Sequence, residues 1–291
     1  MDERKGVVSK TRKISSGIGT RGSAEILLLF PAAIALAVFF FLPLGALFLI
    51  SFSGKTPLIG YEKLLASAAA LKVVTNTLFA SVTVTVLCAA IAVPFCIALQ
   101  SLSRTTARMA LLLTTLPLWI SILVRSYSWL YLLSQEGVIN STAALFGLGP
   151  YSMLFQWSAV IIGMVHILLP YMILPVNNAV SALDPALGRA ARSLGAGSTR
   201  VLLKITLPLI ARGIATGALL VFVLALGFYV TPQMLGGPPN MMLATYIDVL
   251  MNRTLDWPRA AAAAVLLTLS VLLCFLLLSI ISERRSTGVI G

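Results

Sequence analysis

Six long runs of apolar residues dominate this chain of 291 residues. The hydrocarbon core of a bilayer is about 30 Å thick, and roughly 20 apolar helical residues cross it. Backbone groups in lipid must be satisfied within their own segment, so runs of this length favour helices over barrel strands. The sequence therefore predicts an all-α integral membrane protein that crosses the lipid bilayer with six transmembrane helices, at residues 26–52, 73–99, 109–133, 153–180, 213–235 and 260–282.

The basic residues predict the orientation of these spans. The chain holds 21 Lys and Arg residues and a net charge of +12. If the N-terminus is cytoplasmic, the outer segments carry only Lys55, Lys63, Lys72, Arg253 and Arg259, and all other basic residues except Arg125 fall on inner segments. This positive-inside asymmetry places both termini in the cytoplasm, with tails at residues 1–25 and 283–291. We expect a multi-pass membrane protein with no nucleic-acid partner, because the charges are spread as topology signals.

No catalytic or metal-binding constellation is visible in the sequence. The sole histidine, His166, lies in the fourth span with no carboxylate in the same run, and we interpret it as a helix-packing imidazole. Cys88, Cys96 and Cys274 all fall inside spans, where cysteine packs as a small apolar residue. The sequence predicts a non-enzymatic chain without a cofactor of its own, so any nucleotide chemistry comes from a partner.

The basic stretch at residues 183–209 separates the fourth and fifth spans and has its own helix signals. Asp184 suits an N-cap with Pro185 at the first helical position, and Gly195 suits a left-handed C-terminal cap. After that helix, Ser198 is expected to cap a second helical piece, and Pro208 is expected to mark the return into the membrane.

The first helix of this stretch is expected to be amphipathic. Its apolar residues recur at steps of three and four residues, flanked by Arg189 and Arg192, and they are Leu183, Leu187, Ala190, Ala191 and Leu194. An isolated helix of about ten residues is marginal in water, so it must pack against something. The alternative is an interfacial loop that only carries the positive-inside bias.

The spacing of the residues in this stretch favours a helix that packs against a partner over a simple interfacial loop. The segment RAARSLGAGSTRVLLKITLPL, residues 189–209, resembles the EAA loop of permease subunits in type I ABC importers. The resemblance implies a coupling helix that docks on an ATPase subunit, with its contacts at Leu187, Arg189, Ala190, Ala191, Arg192, Leu194 and Gly195. Arg189 stands where the family usually has Glu, so we expect the ATPase to differ at the facing position.

Other segments resemble the spermidine/putrescine-type subgroup of these permeases. They are LPLWISILVRSYSWLYLL at 116–133, GVIN at 137–140, AVIIGMVHILLPYMILPV at 159–176, GFYVTPQMLGGPPNMML at 227–243 and DWPRAAAA at 256–263. The resemblance implies the MetI-like permease fold and a heterodimer with a second homologous permease subunit. It also implies two copies of an ABC ATPase, which bind ATP and Mg²⁺, a periplasmic solute-binding protein, and a location in the bacterial inner membrane.

A polyamine is the solute that this resemblance favours. No acidic residue lies within a predicted span, and the single charge there is Arg125. An opine, an amino-acid-like solute or an aminophosphonate therefore remains an alternative, and an ion-coupled secondary transporter is the alternative of another class. Ion coupling normally requires ionisable residues inside the membrane, and the spans show no such relay.

Arg125 is the residue in the membrane that most needs an explanation. An arginine inside a span usually faces the bundle interior or reaches toward water. One interpretation is an aromatic belt with a snorkelling arginine; the other is that Arg125, Tyr127 and Trp129 line the translocation pathway. Tyr229 and Gln233 in the fifth span are further candidates for that pathway.

Overall fold

The described chain is built from helices joined by short loops. The computed structural model describes residues 30–32, 34–54 and 56–286, with side chains up to Leu276. The helices are α1 (Phe30–Ser51), α2 (Ile59–Leu65), α3 (Ala68–Leu99), α4 (Arg104–Thr115), α5 (Ile122–Leu132), α6 (Val138–Leu145), α7 (Trp157–Ser181), α8 (Pro185–Ser193), α9 (Ser198–Leu226), α10 (Val230–Leu235), α11 (Leu243–Asn252) and α12 (Trp257–Ser286). No strand occurs in this part of the chain, which confirms the predicted all-α class.

Five helices are long and apolar enough to cross a bilayer, namely α1, α3, α7, α9 and α12. The third predicted span, residues 109–133, differs from the others because it is broken. Its two halves, Arg104–Trp119 and Ile122–Leu132, are bent by 101° relative to one another. Counting this bent pair as one span brings the total to six.

The bend has a local cause near Pro117. A 3₁₀ turn, Leu116–Trp119, follows α4 and contains this proline, and Ile120 then takes an extended conformation with φ −91° and ψ 136°. Proline lacks the N–H group that an α-helix needs, and a 3₁₀ turn often ends a helix. The helical path therefore stops before Ser121 and starts again in a new direction at Ile122.

The fifth span also differs from its predicted bounds of 213–235. Helix α9 begins at Ser198 and runs without a break to Leu226, and the shorter α10 follows. The N-cap residue is Gly197, without a side-chain cap bond, so Ser198 is the first helical residue and the prediction that it caps the helix is wrong. The basic loop thus leads directly into a membrane-length helix.

Pro208 does not interrupt α9 because a wider turn precedes it. Residues Leu202–Thr206 form a π-helical turn, and the N–H of Leu207 bonds the carbonyl of Leu202. A proline in a regular helix clashes with the carbonyl four residues back, and a π turn changes that spacing. The same order of π turn, leucine and proline occurs in α1, where Ala37–Phe41 precedes Pro43.

The chain divides into two units at Leu49. The described part of the first unit consists of the helical residues of α1 up to Leu49, and the second unit begins at Ile50 and holds the helices from α2 onward. The predicted N-terminal tail, residues 1–25, and residues 287–291 of the predicted C-terminal tail lie outside the described residues.

The core of the second unit lies where α3, α7 and α9 meet. One face of α3 is formed by small residues at steps of four, all fully buried: Ala80, Val84, Cys88, Ala92 and Cys96. The thiol of Cys88 donates to the backbone oxygen of Val165 at 3.8 Å, and that of Cys96 donates to Ile173 at 3.6 Å. This stripe lets α3 pack closely along α7.

Helices α7 and α9 approach each other at two glycines. A side chain at Gly213 would clash with the side chain of Ala179 and would lie 2.8 Å from the carbonyl oxygen of Pro175. At Gly217 a Cβ atom would lie 3.2 Å from the carbonyl oxygen of Met172. The Gly213–Gly217 pair therefore permits close helix contact, as its four-residue spacing predicts.

Candidate functional site

The candidate coupling helix is α8, and its two ends are fixed as predicted. The carboxylate of Asp184 accepts a hydrogen bond from the N–H of Ala186 at 2.8 Å. At the other end Gly195 has φ +84°, its N–H bonds the carbonyl of Arg192, and the N–H of Ala196 bonds the carbonyl of Ala191. This is a Schellman cap with glycine in the left-handed position.

The apolar stripe predicted for α8 is divided between two environments. Leu183 and Ala191 are half-buried, and Leu183 packs against the core. Leu187 and Leu194 are 47% and 90% exposed, and Ala190 is exposed as well. Large apolar side chains held outward on a capped helix form a surface suited to a partner.

Basic side chains border this apolar surface. Arg189 and Arg192 are both exposed. Helix α8 contacts the start of α9 at Gly188. A Cβ atom at Gly188 would lie 3.8 Å from the side chain of Val201, which is buried in the first turn of α9. Helix α8 therefore rests on the first turn of α9.

A second group of polar residues lies where α5 packs on α7. The indole N–H of Trp129 donates to Nδ1 of His166 at 3.0 Å, and the two rings meet edge to face with centroids 5.6 Å apart. The guanidinium of Arg125 lies within electrostatic range of His166 and Tyr171. We call Arg125, Trp129, His166 and Tyr171 the Arg125 cluster.

The contact with Trp129 decides the proton position on His166. An indole N–H only donates, so Nδ1 must be the unprotonated nitrogen that accepts. In the neutral ring the proton is then on Nε2, which is a donor. The Arg125 cluster therefore offers donors and a positive charge, and its only acceptor beyond the occupied Nδ1 is the hydroxyl oxygen of Tyr171.

A buried hydrogen bond holds α5 against α10. The hydroxyls of Ser126 and Thr231 are 2.9 Å apart, and both residues are fully buried. Ser126 is the neighbour of Arg125 in the sequence, so this bond helps to fix the position from which the Arg125 side chain extends. Tyr127 is 62% exposed and does not join the Arg125 cluster.

The remaining pathway candidates lie at the end of the predicted fifth span. Tyr229 occupies the break between α9 and α10 and lies beside Asp248 of α11. Gln233 is exposed on α10. The structure thus brings Arg125 and Trp129 together and places Tyr229 beside an acidic residue of α11.

His166 and Tyr171 are the members of the Arg125 cluster that were not among the predicted site residues. Both lie in α7, and His166 is 37 residues from its partner Trp129. No local period connects residues so far apart. The only available signal was that His166 is the single histidine in the chain, in a span that lacks carboxylates.

Comparisons with known proteins give a family for this chain and relatives with which it shares about a third of the aligned residues. Residues 64–287 match the family described as binding-protein-dependent transport system inner membrane component. The spermidine/putrescine transport system permease protein PotB of Escherichia coli K12 is 34% identical over 200 residues, which cover 68% of this chain and 73% of that protein. The PotB of Haemophilus influenzae is 35% identical over 209 residues, covering 70% and 72%.

A solved structure shows the same fold at lower sequence identity. In the crystal structure of a bacterial alginate ABC transporter with its pentasaccharide-bound periplasmic protein, one chain aligns with a TM-score of 0.76 and 21% identity. The alignment covers 91% of this chain and 96% of that one. The chain is therefore a multi-pass bacterial inner-membrane protein, and it belongs to the family of binding-protein-dependent transport system inner membrane components.

Proposed function

We propose that this chain is the permease subunit of an ATP-driven importer and forms half of a translocation pathway for a polyamine. In this proposal a second homologous permease supplies the other half, and a periplasmic binding protein delivers the solute. Two copies of an ABC ATPase bind ATP and Mg²⁺ and dock on α8. The chain itself catalyses no reaction.

The observation that carries the proposal is the outward apolar surface of α8. The helix is capped at Asp184 and Gly195, and it holds Leu187 and Leu194 away from its own core. A helix this short gains stability from packing, so a docked partner explains both the exposure and the caps. Arg189 borders this surface, where it faces the position on the ATPase that we expect to differ from the family pattern.

The choice of a polyamine rests on the relatives. The PotB proteins are named for spermidine and putrescine, and they match about two thirds of this chain at 34–35% identity. Arg125, Tyr127, Trp129, Tyr229 and Gln233 are proposed to line the pathway. Aromatic side chains among them suit an ammonium group, because aromatic faces attract cations.

ATP hydrolysis by the whole complex tests this function. The permease pair and the ATPase are co-purified, reconstituted in nanodiscs and titrated with the binding protein, either empty or loaded with spermidine, putrescine or an aminophosphonate. We expect the polyamine-loaded binding protein to stimulate hydrolysis more than the empty one. Stimulation by the aminophosphonate alone would contradict the polyamine assignment, and the absence of a co-purifying ATPase would contradict the importer.

A further inference from the structure

The guanidinium of Arg125 is short of hydrogen-bond acceptors. Its Nε and Nη1 atoms are buried, and neither makes a hydrogen bond within the described residues. Removing one partner from a buried ion pair is strongly destabilising, because the remaining charge is left without compensation. Arginine in a membrane segment accordingly pairs with another group or faces a water-filled cavity. In a complete assembly Arg125 therefore either pairs with a further group or faces water.

The neighbours of Arg125 do not meet this need. Nδ1 of His166 is occupied by the indole of Trp129, which leaves only the Nε2–H donor. The hydroxyl of Tyr171 is a neutral group and does not balance the charge. Carboxylates are absent from the described membrane-length helices α1, α3, α7 and α9, from the bent pair α4–α5, and from residues 257–276 of α12.

The proposed solute has the opposite need. A polyamine carries several ammonium groups and no acceptor that could pair with arginine, so carboxylates and aromatic faces along its path suit it. The described spans of this chain offer none, and the carboxylate of this chain beside a pathway candidate is Asp248 of α11, next to Tyr229. One carboxylate on the second permease subunit would satisfy both the arginine of this chain and the ammonium group of the solute.

We infer that Arg125 pairs, across the interface between the two permease subunits, with a carboxylate of the second subunit, and that it holds this carboxylate while the pathway is empty. An arriving ammonium group takes the carboxylate and displaces the guanidinium. This exchange forms one ion pair as it breaks another: the carboxylate stays paired, and the released guanidinium faces the water-filled pathway that the solute has entered. The inference rests on the proposed function, because it requires a permease pair and a cationic solute.

Carbodiimide cross-linking tests the pairing directly. In the full complex, Arg125→Lys places a primary amine at this position, and a hydrophobic carbodiimide joins an amine to a carboxylate in contact with it, with loss of water. We expect a covalent product between the two permeases, and peptide mass spectrometry then identifies the carboxylate. The wild-type complex has no amine at position 125 and serves as the baseline. The matched control is Val124→Lys, at the preceding position of α5, which is 56% exposed.

The outcomes of the cross-linking separate the alternatives. A product that is specific to Arg125→Lys and is reduced at least several-fold by spermidine-loaded binding protein supports the inference. Equal products from Arg125→Lys and Val124→Lys, or no product between the permeases, overturn it. Joining of the amine to a carboxylate of an added solute also overturns it, because Arg125 would then serve the solute.

Transport by Arg125→Gln is a second test that does not depend on the cross-link. Removing the competing cation is expected to lower the half-saturating spermidine concentration several-fold, whereas Val124→Gln, at the preceding position of α5, stays close to wild type. An unchanged or higher half-saturating concentration for Arg125→Gln would contradict the exchange. If the wild-type complex does not transport spermidine at all, the polyamine function fails, while the cross-link still reports whether the subunits pair at Arg125.

Discussion

Gly195 and Gly197 show how a single backbone angle distinguishes two otherwise similar residues. Both flank the short connection between α8 and α9, both are exposed, and a Cβ atom at either would meet nothing within 4 Å. Gly195 has φ +84°, whereas Gly197 has φ −66°. Only the first conformation disfavours residues with a side chain, at about 1–2 kcal/mol. The need for glycine at position 195 is thus conformational rather than steric.

This difference predicts the effect of matched substitutions. We expect Gly195→Ala to loosen the C-terminal cap of α8 and to lower solute transport per ATP hydrolysed, with the complex still assembled. Gly197→Ala should behave like wild type, and Gly195→Asn should retain more coupling than Gly195→Ala because Asn tolerates the left-handed region. Uptake and hydrolysis measured in the same proteoliposomes check this. Equal coupling for the two alanine variants would show that the cap does not transmit force.

At the scale of elements, the chain depends on close packing of α7 against α9. Backbone atoms of α7 lie directly under Gly213, and backbone moves less readily than a flexible side chain. Helix α9 also carries the connection from the coupling helix, because it runs unbroken from Ser198 to Leu226. The close packing on α7 and the transmission that we propose from α8 therefore both belong to α9.

Gly213→Ala should reveal the packing contribution. Overpacking of a dense interior costs about 1–3 kcal/mol, so we expect a lower thermal unfolding midpoint for the purified complex. Gly227→Ala is the matched control, since a Cβ atom there meets nothing within 4 Å and Gly227 lies just after α9. Thermal-shift measurements in one detergent compare the two variants. A similar midpoint for both would mean that α7 and α9 have room to separate.

At the scale of the whole molecule, the exposed apolar surface of α8 is where we propose that the ATPase docks. Leu194 is 90% exposed at the end of α8, and Leu145 is 84% exposed at the end of α6. The two side chains are equally accessible in the single chain. In the proposed topology Leu194 faces the cytoplasmic ATPase, whereas Leu145 lies in the outer loop between the third and fourth spans.

Leu194→Asp should therefore weaken binding of the ATPase. A buried, unpaired carboxylate at the docking surface is costly, so we expect at least a tenfold loss of ATPase retained on the purified permease pair. Leu145→Asp should leave retention unchanged. Quantitative pull-down of the ATPase with tagged permease measures both variants. Equal retention for both would move the docking surface away from α8.

The sequence by itself determined the fold class, the approximate spans and the caps of α8. These depend on local quantities, namely the hydropathy of about 20 consecutive residues and the hydrogen bonds of residues next to each other in the chain. The sequence predicts the start of α8 at Asp184 and Pro185 and its end at Gly195, because each of these residues acts on the helical turn next to it. The close packing at Gly213 and Gly217 was also predictable, because the two residues are one turn apart.

Only the tertiary structure decided the rest. The 101° bend before α5 follows a 3₁₀ turn that contains Pro117. Helix α9 passes Pro208 without a break because a π turn precedes it. Both depend on which backbone hydrogen bonds form around the proline. The Arg125 cluster joins α5 to α7 through residues 37 positions apart in the chain. Such contacts are set by which helix faces meet in space, and neither hydropathy nor capping specifies that.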